Sequence, residues 1–90
     1  MRGPNKDRPE WIREWYKHGQ LEWDIPLVEL DGRFVRHGTS TQYYEDGAVK
    51  LTRQYKQGRE HGLEQLFDRQ GARLHELEFH DGKLIRTTRP

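Results

Sequence analysis

The chain has 90 residues, of which 31% are hydrophobic and 34% charged, with a formal net charge of +1 and no cysteine. Its length fits one small domain, the missing cysteines exclude disulfides, thiolate metal sites and a cysteine nucleophile, and no segment has the roughly 20 consecutive apolar residues that a transmembrane helix needs. Disordered chains of low hydrophobicity usually combine a high net charge with few aromatic residues, so the near-neutral charge and the three Trp, four Tyr and three Phe predict a thin folded domain.

The N-terminal region admits two interpretations. Residues 1–10 lack the apolar segment of a secretory signal, and we expect a flexible arm there and a cytoplasmic protein. Over residues 8–17 a strand competes with a short helix, which Asp7 could cap and Gly19 could end. The similarity of this region to a later segment, offset by 28 residues, favours a strand over 11–17.

Gly-containing turns divide the rest of the chain into segments of strand length. Asp-Gly between runs rich in Val, Leu, Tyr, Phe and Thr is a strong hairpin signal, because glycine adopts positive φ without strain. Such steps occur at Asp31-Gly32, Asp46-Gly47 and Asp81-Gly82, with related Gln-Gly and His-Gly steps elsewhere. The sequence predicts strands over 20–30, 33–36, 39–45, 48–56, 62–68, 72–80 and 83–88. Pro26 predicts that the first of these is bent or at a sheet edge, and residues 89–90 form a tail.

Alternation of apolar and polar residues along these segments predicts an antiparallel meander. By this alternation one face carries Tyr43, Val49, Leu51, Tyr55, Leu63, Phe67, Leu77 and Phe79. The opposite face carries Tyr44, Leu66 and Leu74. We expect the first row to form the core, either by curling the sheet or by packing under the N-terminal segment.

The chain repeats itself with a period of 24 residues from Gly38 onward. A fixed period of this length is typical of stacked supersecondary units, each of which needs a neighbour to cover its apolar side. The domain 11–88 divides into a degenerate unit, 11–37, and two regular units, 38–61 and 62–85. The recurring positions are Gly38, Gly47, Gly58, Gly62, Gly71 and Gly82, together with Tyr43, Tyr55, Phe67 and Phe79.

The residue pattern within a unit resembles the MORN-repeat variant of bacterial proteins. It reads Tyr43-Tyr44-Glu45-Asp46-Gly47 and then Tyr55-Lys56-Gln57-Gly58-Arg59-Glu60-His61-Gly62, and it departs from the pattern at Arg86, where the next glycine would stand. The resemblance implies a mainly β fold, a single twisted antiparallel meander of about 2.5–3 hairpin repeats, and a binding role. Many bacterial members are antitoxin-like or immunity-like, whereas eukaryotic members are linked to membranes and to protein scaffolding.

No residue pattern predicts catalysis, a metal site or a cofactor. His37 and His61 occupy the same turn position of the repeat, which indicates a structural role. His75 and His80 have suitable ligand chemistry, but five residues apart along a strand they point to opposite faces. Ser40, the single serine, has no nucleophile elbow around it. We therefore expect that the protein is not an enzyme.

The remaining function is binding to another protein. The 16 Lys and Arg are nearly balanced by 15 Asp and Glu and form no basic stripe, so a β-sheet nucleic-acid binder is only an alternative. A scaffold that self-assembles through its sheet edges is a second alternative, because edge strands carry unpaired backbone groups. Because aromatic side chains are common interface anchors, the predicted partner-binding residues are Trp11, Tyr16, Trp23, Tyr44, Lys50, Leu66, Arg73 and Leu74. We expect an antitoxin, immunity or inhibitor protein that occludes a toxin, effector or nuclease-type target with one sheet face.

Overall fold

The computed structural model of the protein describes residues 10–89, which form one antiparallel sheet of eight strands. The mainly β prediction is confirmed. The strands are β1 (Glu10–Trp15), β2 (Leu21–Leu30), β3 (Arg33–Arg36), β4 (Gly38–Tyr43), β5 (Val49–Lys56), β6 (Arg59–Phe67), β7 (Arg73–His80) and β8 (Lys83–Thr88). The described residues contain no helix, so a strand takes the place of the alternative N-terminal helix from Glu10 onward. The rest of the predicted flexible arm, residues 1–9, lies outside the described residues, as does Pro90 of the tail.

Strands that follow one another in the chain are neighbours in the sheet, with one exception. The order is β1-β2-β4-β5-β6-β7-β8, and β3 pairs with the second half of β2. Both β3 and β4 therefore lie along the same side of β2. Of the two alternatives predicted for the strand with Pro26, a bend or a sheet edge, the interior position of β2 shows that the sheet edge is wrong.

Proline is tolerated inside the sheet because the ladder on the β3 and β4 side of β2 is interrupted at Pro26, while Pro26 remains paired with Trp11 of β1. Between the pairs Asp24↔Thr41 and Leu27↔Arg36, two residues of β2 face the four residues 37–40. The Pro26 carbonyl accepts a hydrogen bond of 3.2 Å from His37 N on this side. A residue's N–H and C=O point to the same side of a strand, so the missing N–H of proline falls at the bulge, where the regular ladder does not require a donor.

The bulge recurs one period later and explains why β6 begins before its predicted start at residue 62. One residue of β5 faces three of β6 between Arg53↔Glu64 and Tyr55↔Glu60. Gly62 lies in this bulge with a φ of 105°, within β6. A glycine with positive φ is common at such a bulge inside a strand.

Three five-residue loops at one end of the sheet share one hydrogen-bond pattern. The first residue of each loop donates its N–H to the carbonyl of the fifth, at 2.8 Å for Tyr16, 2.7 Å for Tyr44 and 2.9 Å for Asp68. The spacing of these three residues is 28 and then 24. The loop that begins at Tyr16 is therefore structurally equivalent to the loop that begins at Tyr44, as the 28-residue offset in the sequence predicts.

Tyrosine hydroxyls connect each of the first two loops to the following hairpin. Tyr16 Oη donates to the carbonyl of Tyr43 at 2.8 Å, and Tyr44 Oη donates to that of Phe67 at 2.7 Å. Partial burial raises the pKa of Tyr16, and the nearby Glu22 and Glu45 raise it further. We refer to these connections as the tyrosine ladder.

The opposite end of the sheet has a corresponding set of contacts, which we call the histidine ladder. Gln57 N donates to His37 Nδ1 at 3.0 Å, and Asp81 N donates to His61 Nδ1 at 3.2 Å. Beside them, the turn glycines Gly58 and Gly82 donate their N–H groups to the carbonyls of residues 36 and 60, at 2.7 and 2.8 Å. The two histidines thus accept hydrogen bonds that fix successive turns, as their position in the repeat predicts.

The described sheet is one layer thick and has little buried core. Its extents are 51 × 37 × 15 Å, and the buried residues are Ile25, Leu51, Ser40 and Glu64. Packing between layers therefore contributes less here than in an ordinary domain, and stability depends more on hydrogen bonds and cross-strand pairs.

The cross-strand register corrects the predicted assignment of residues to faces. Leu51 lies opposite Leu66, so these two share a face, whereas Leu63 lies opposite Glu78 on the other. We call the face of Ile25, Leu51 and Leu66 the front face. Alternation within a strand shows which residues share a face, but only the register between strands shows which strand faces match. The front face carries Leu51, Tyr55, Leu77 and Phe79 of the predicted row, and the back face carries Tyr43, Leu63 and Phe67.

Replacing the bulge glycine should cost more stability than replacing a loop glycine. Gly71 has a φ of 90° and open space where the methyl group of an alanine would stand, so Gly71→Ala should cost about 1–2 kcal/mol of backbone strain. At Gly62 a Cβ would also overlap Gln54 Oε1, which accepts a 2.7 Å hydrogen bond from Leu63 N. Moving the Gln54 amide aside would break this hydrogen bond, so we expect Gly62→Ala to cost about 1 kcal/mol more. Urea denaturation of both variants measures the difference, and equal midpoints would contradict the close approach.

The tyrosine ladder should contribute measurably to stability. Tyr44→Phe removes the donor to the Phe67 carbonyl, and we expect a loss of about 1 kcal/mol, or about 4–8 °C in melting temperature. Tyr43→Phe is the matched control, since the Tyr43 hydroxyl has no hydrogen-bond partner among residues 10–89. Thermal melts that show equal shifts for the two variants would assign no stabilising role to the ladder.

Candidate functional site

The front face has an open depression of 380 Å³ where β1 to β5 meet. Paired residues of antiparallel strands place their side chains on the same face, which brings together residues from five strands. Four of its lining residues are apolar or aromatic, three are charged and one is a serine. The lining residues are Ile12, Glu14, Trp23, Ile25, Arg36, Ser40, Arg53 and Tyr55.

Ser40 lies in this depression and is 4% exposed. Its Oγ has no hydrogen-bond partner in the described part of the chain. A buried hydroxyl left unsatisfied costs about 1–3 kcal/mol, and native structures contain few such groups. The hydroxyl can donate one hydrogen bond and accept others, and the described residues use neither capacity.

The two arginines of the depression differ in how their charge is compensated. Arg53 Nε lies 2.7 Å from Glu64 Oε1 and 3.5 Å from Glu60 Oε2. Arg36 places its guanidinium carbon 5.7 Å from the centre of the Tyr55 ring, and among residues 10–89 no carboxylate lies within salt-bridge distance of it. The Arg36 charge is therefore available to an anion.

Burial and ion pairing shift the pKa values of this group in ways that can be separated. Burial raises the pKa of Glu60 and outweighs the opposing effect of Arg53, while Glu64 raises it further. For Arg53, burial alone would lower the pKa, but the hydrogen bonds to Glu64 and Tyr55 raise it above its ordinary value. Arg53 and Glu64 thus form the tight pair, with Glu60 as a less favourable neighbour.

The predicted partner-binding residues are distributed over several parts of the sheet. Trp23 lines the depression and Leu66 lies further along the front face, while Trp11 lies on the back face under the Arg13 guanidinium at 4.8 Å. Their binding role stays a prediction. The remaining five lie at the loop end or on β7: Tyr16 and Tyr44 in the tyrosine ladder, Lys50 at 5.6 Å from the Tyr44 ring, Arg73 paired with Glu76 at 3.0 Å, and the exposed Leu74.

Sequence reasoning does not single out Arg36 and Ser40, which the structure places in the lining of the depression. The sequence presents Ser40 only as a candidate nucleophile, and Arg36 lies in the degenerate unit. A signal for both is present in the repeat, since the residues one period later are Glu60 and Glu64. A position that changes charge or length between otherwise matching units is a candidate for a function specific to one unit.

Comparison with known proteins identifies no relative: the chain matches no protein-family model, no curated protein and no solved structure. Within residues 10–89 no element is a helix with the length and apolar character that a membrane crossing requires. In the same range no three His, Asp or Glu side chains come together in a group that could hold a metal ion.

The two carboxylates beside Arg53 should respond oppositely to neutralisation. Glu64→Gln breaks the 2.7 Å pair and leaves a half-buried arginine without its main partner, so we expect a loss of about 1–2 kcal/mol at pH 7. Glu60 has a raised pKa, so the folded protein binds its proton more tightly than the unfolded chain does, and ionisation lowers stability as the pH rises. Glu60→Gln should therefore be neutral or stabilising at pH 7.

The pH dependence provides the check on this assignment. The advantage of Glu60→Gln over the wild type should disappear below about pH 4, where the carboxyl group is protonated in both folded and unfolded states. Melting temperatures of the wild type and both variants between about pH 3 and pH 7 measure these effects. If Glu60→Gln destabilises the protein at pH 7 as much as Glu64→Gln, the two carboxylates are equivalent and the assignment is wrong.

Proposed function

We propose that the protein is a non-catalytic protein-binding module that occludes a partner with the front face of its sheet. The observation that carries this proposal is the single layer: residues 10–89 form one sheet 15 Å thick, and beside the buried Ile25 and Leu51 its front face leaves Trp23, Tyr55 and Leu66 only half-buried. Uncovered apolar surface of this kind is typical of interaction sites. The outline of 51 × 37 Å is larger than the about 800 Å² that each partner contributes to a standard interface.

The front face defines the chemistry of the partner surface that would fit it. Trp23, Tyr55 and Leu66 supply flat apolar area, and Arg36 supplies a positive charge without a carboxylate partner in the described residues. The complementary surface is an apolar patch bordered by carboxylates on a folded protein. The class of such a protein as a toxin, effector or nuclease, with this chain as its antitoxin or immunity protein, is supported by the resemblance to MORN-type repeats of bacterial proteins.

Self-assembly through sheet edges is the second candidate, and a specific observation favours it. Both outer strands carry exposed apolar side chains: Trp11, Ile12 and Trp15 on β1, and Leu84 and Ile85 on β8. Edge strands with unpaired backbone groups can pair with another chain. This candidate predicts a mass that rises with protein concentration, whereas the front-face module forms a complex of fixed stoichiometry with its partner.

The two faces of the sheet provide matched variants for the test. A partner isolated with the immobilised wild-type protein is purified and titrated calorimetrically against Trp23→Ala on the front face and Trp11→Ala on the back face. We expect the first variant to weaken binding at least about tenfold, as for a central aromatic anchor, and the second to change it less than about twofold.

The result that would overturn the proposal is defined by the same series. Equal losses in Trp23→Ala and Trp11→Ala would show that the front face is not the binding surface. Binding only to oligonucleotides, with an affinity that falls steeply with salt, would assign the protein to nucleic acid instead. Light scattering of the free protein tests the edge-mediated alternative.

A further inference from the structure

At two positions of the depression, the chain lacks a carboxylate that it has one repeat period later. Arg36 and Ser40 correspond to Glu60 and Glu64 one period later. The later pair places two carboxylates at 2.7 and 3.5 Å from Arg53 Nε. The earlier pair has a cation and a short hydroxyl in their place, so this part of the sheet lacks both carboxylates and the volume of the Glu64 side chain.

The serine in place of a glutamate leaves a polar group without a partner. Ser40 Oγ is buried without a hydrogen-bond partner in the described residues, whereas the Glu64 carboxylate at the equivalent position is paired. The space above the serine is the 380 Å³ depression, at the small end of the range for ligand sites. An unsatisfied hydroxyl, an uncompensated arginine and an apolar wall thus meet in one concavity.

We propose that this depression binds a small organic acid, with its carboxylate near Ser40 and Arg36 and its apolar body against Trp23 and Ile25. The carboxylate would accept a charge-assisted hydrogen bond from the guanidinium and, with a shift of the side chains that bury Ser40 Oγ, one from the serine hydroxyl. Glu14 also lines the depression, and its negative charge disfavours a second carboxylate on the ligand. The ligand class is therefore a monocarboxylate on an aromatic or branched apolar body.

This inference does not depend on the proposed protein-binding function, because it concerns a free small molecule and is tested without a partner. The probe is 3-phenylpropionate, which has one carboxylate and one ring, and its uncharged analogue 3-phenylpropionamide has nearly the same shape. Titration is followed by amide and indole N–H shifts in ¹H–¹⁵N spectra. We expect saturation at residues of the depression with a dissociation constant on the order of 1 mM, as suits a ligand of this size, and an amide at least about tenfold weaker.

Three variants separate the carboxylate site from general charge effects. Arg36→Gln should weaken binding of the acid at least about tenfold, and Ser40→Ala about fivefold. Arg33→Gln removes the same charge from the same short strand, but Arg33 does not line the depression, and we expect a change below about twofold. Ser40→Ala should melt at the wild-type temperature or higher, because it removes a buried group without a partner.

The outcomes that overturn the inference are equally specific. Absence of saturable shifts up to roughly 10 mM acid would exclude the site, and equal affinity for acid and amide would exclude the carboxylate. Equal losses of affinity for the acid in Arg36→Gln and Arg33→Gln would show that binding depends on the net charge of the protein and not on Arg36. The tripeptide Gly-Gly-Phe tests a protein C-terminus as the source of the carboxylate, and binding tighter than that of 3-phenylpropionate would overturn the assignment to a small organic acid.

Discussion

The sheet depends on hydrogen bonds that connect each hairpin to the next at both of its ends. Because the described layer is only 15 Å thick, the apolar core is limited to Ile25 and Leu51, and packing cannot supply the usual share of the stability. The tyrosine ladder at the loop end and the histidine ladder at the turn end fix the relative position of successive units. These connections need particular atoms at fixed intervals, which explains why the chain repeats.

Much of the architecture could be predicted because it is encoded locally. Asp31, Gln57 and Asp81 have positive φ and are each followed by a glycine that also has positive φ, and this local chemistry is visible in the sequence. The interior position of Pro26 and the early start of β6 could not be predicted, since both depend on bulges in which a neighbouring strand has extra residues. The assignment of Leu66 to a face failed for the same reason, because register is a property of two strands.

The candidate site could be predicted only in part. Trp23 stands out in the sequence as an aromatic residue outside the regular repeats, and it does line the depression. Ser40 and Arg36 are unremarkable in composition and acquire significance only when the pairing of β4 with β5 places Ser40 opposite Arg53. Arg36 and Ser40 differ from Glu60 and Glu64, the equivalent residues one repeat period later. This difference is visible in the sequence, whereas Ser40 belongs to no catalytic motif.

The hairpin-by-hairpin construction also determines how such a sheet comes apart. Each strand pairs only with its immediate neighbours, so strands at one end of the sheet can separate while those at the other end stay paired. The free energy of opening therefore rises with the number of strand pairs that are broken from one end. The last hairpin lacks a glycine at Arg86 and has only a one-residue shift in register beside it, and its outer strand is largely exposed. We therefore expect amide hydrogen exchange to be graded along the sheet, fast at the outer strand β8 and slowest in β5 and β6 near its centre.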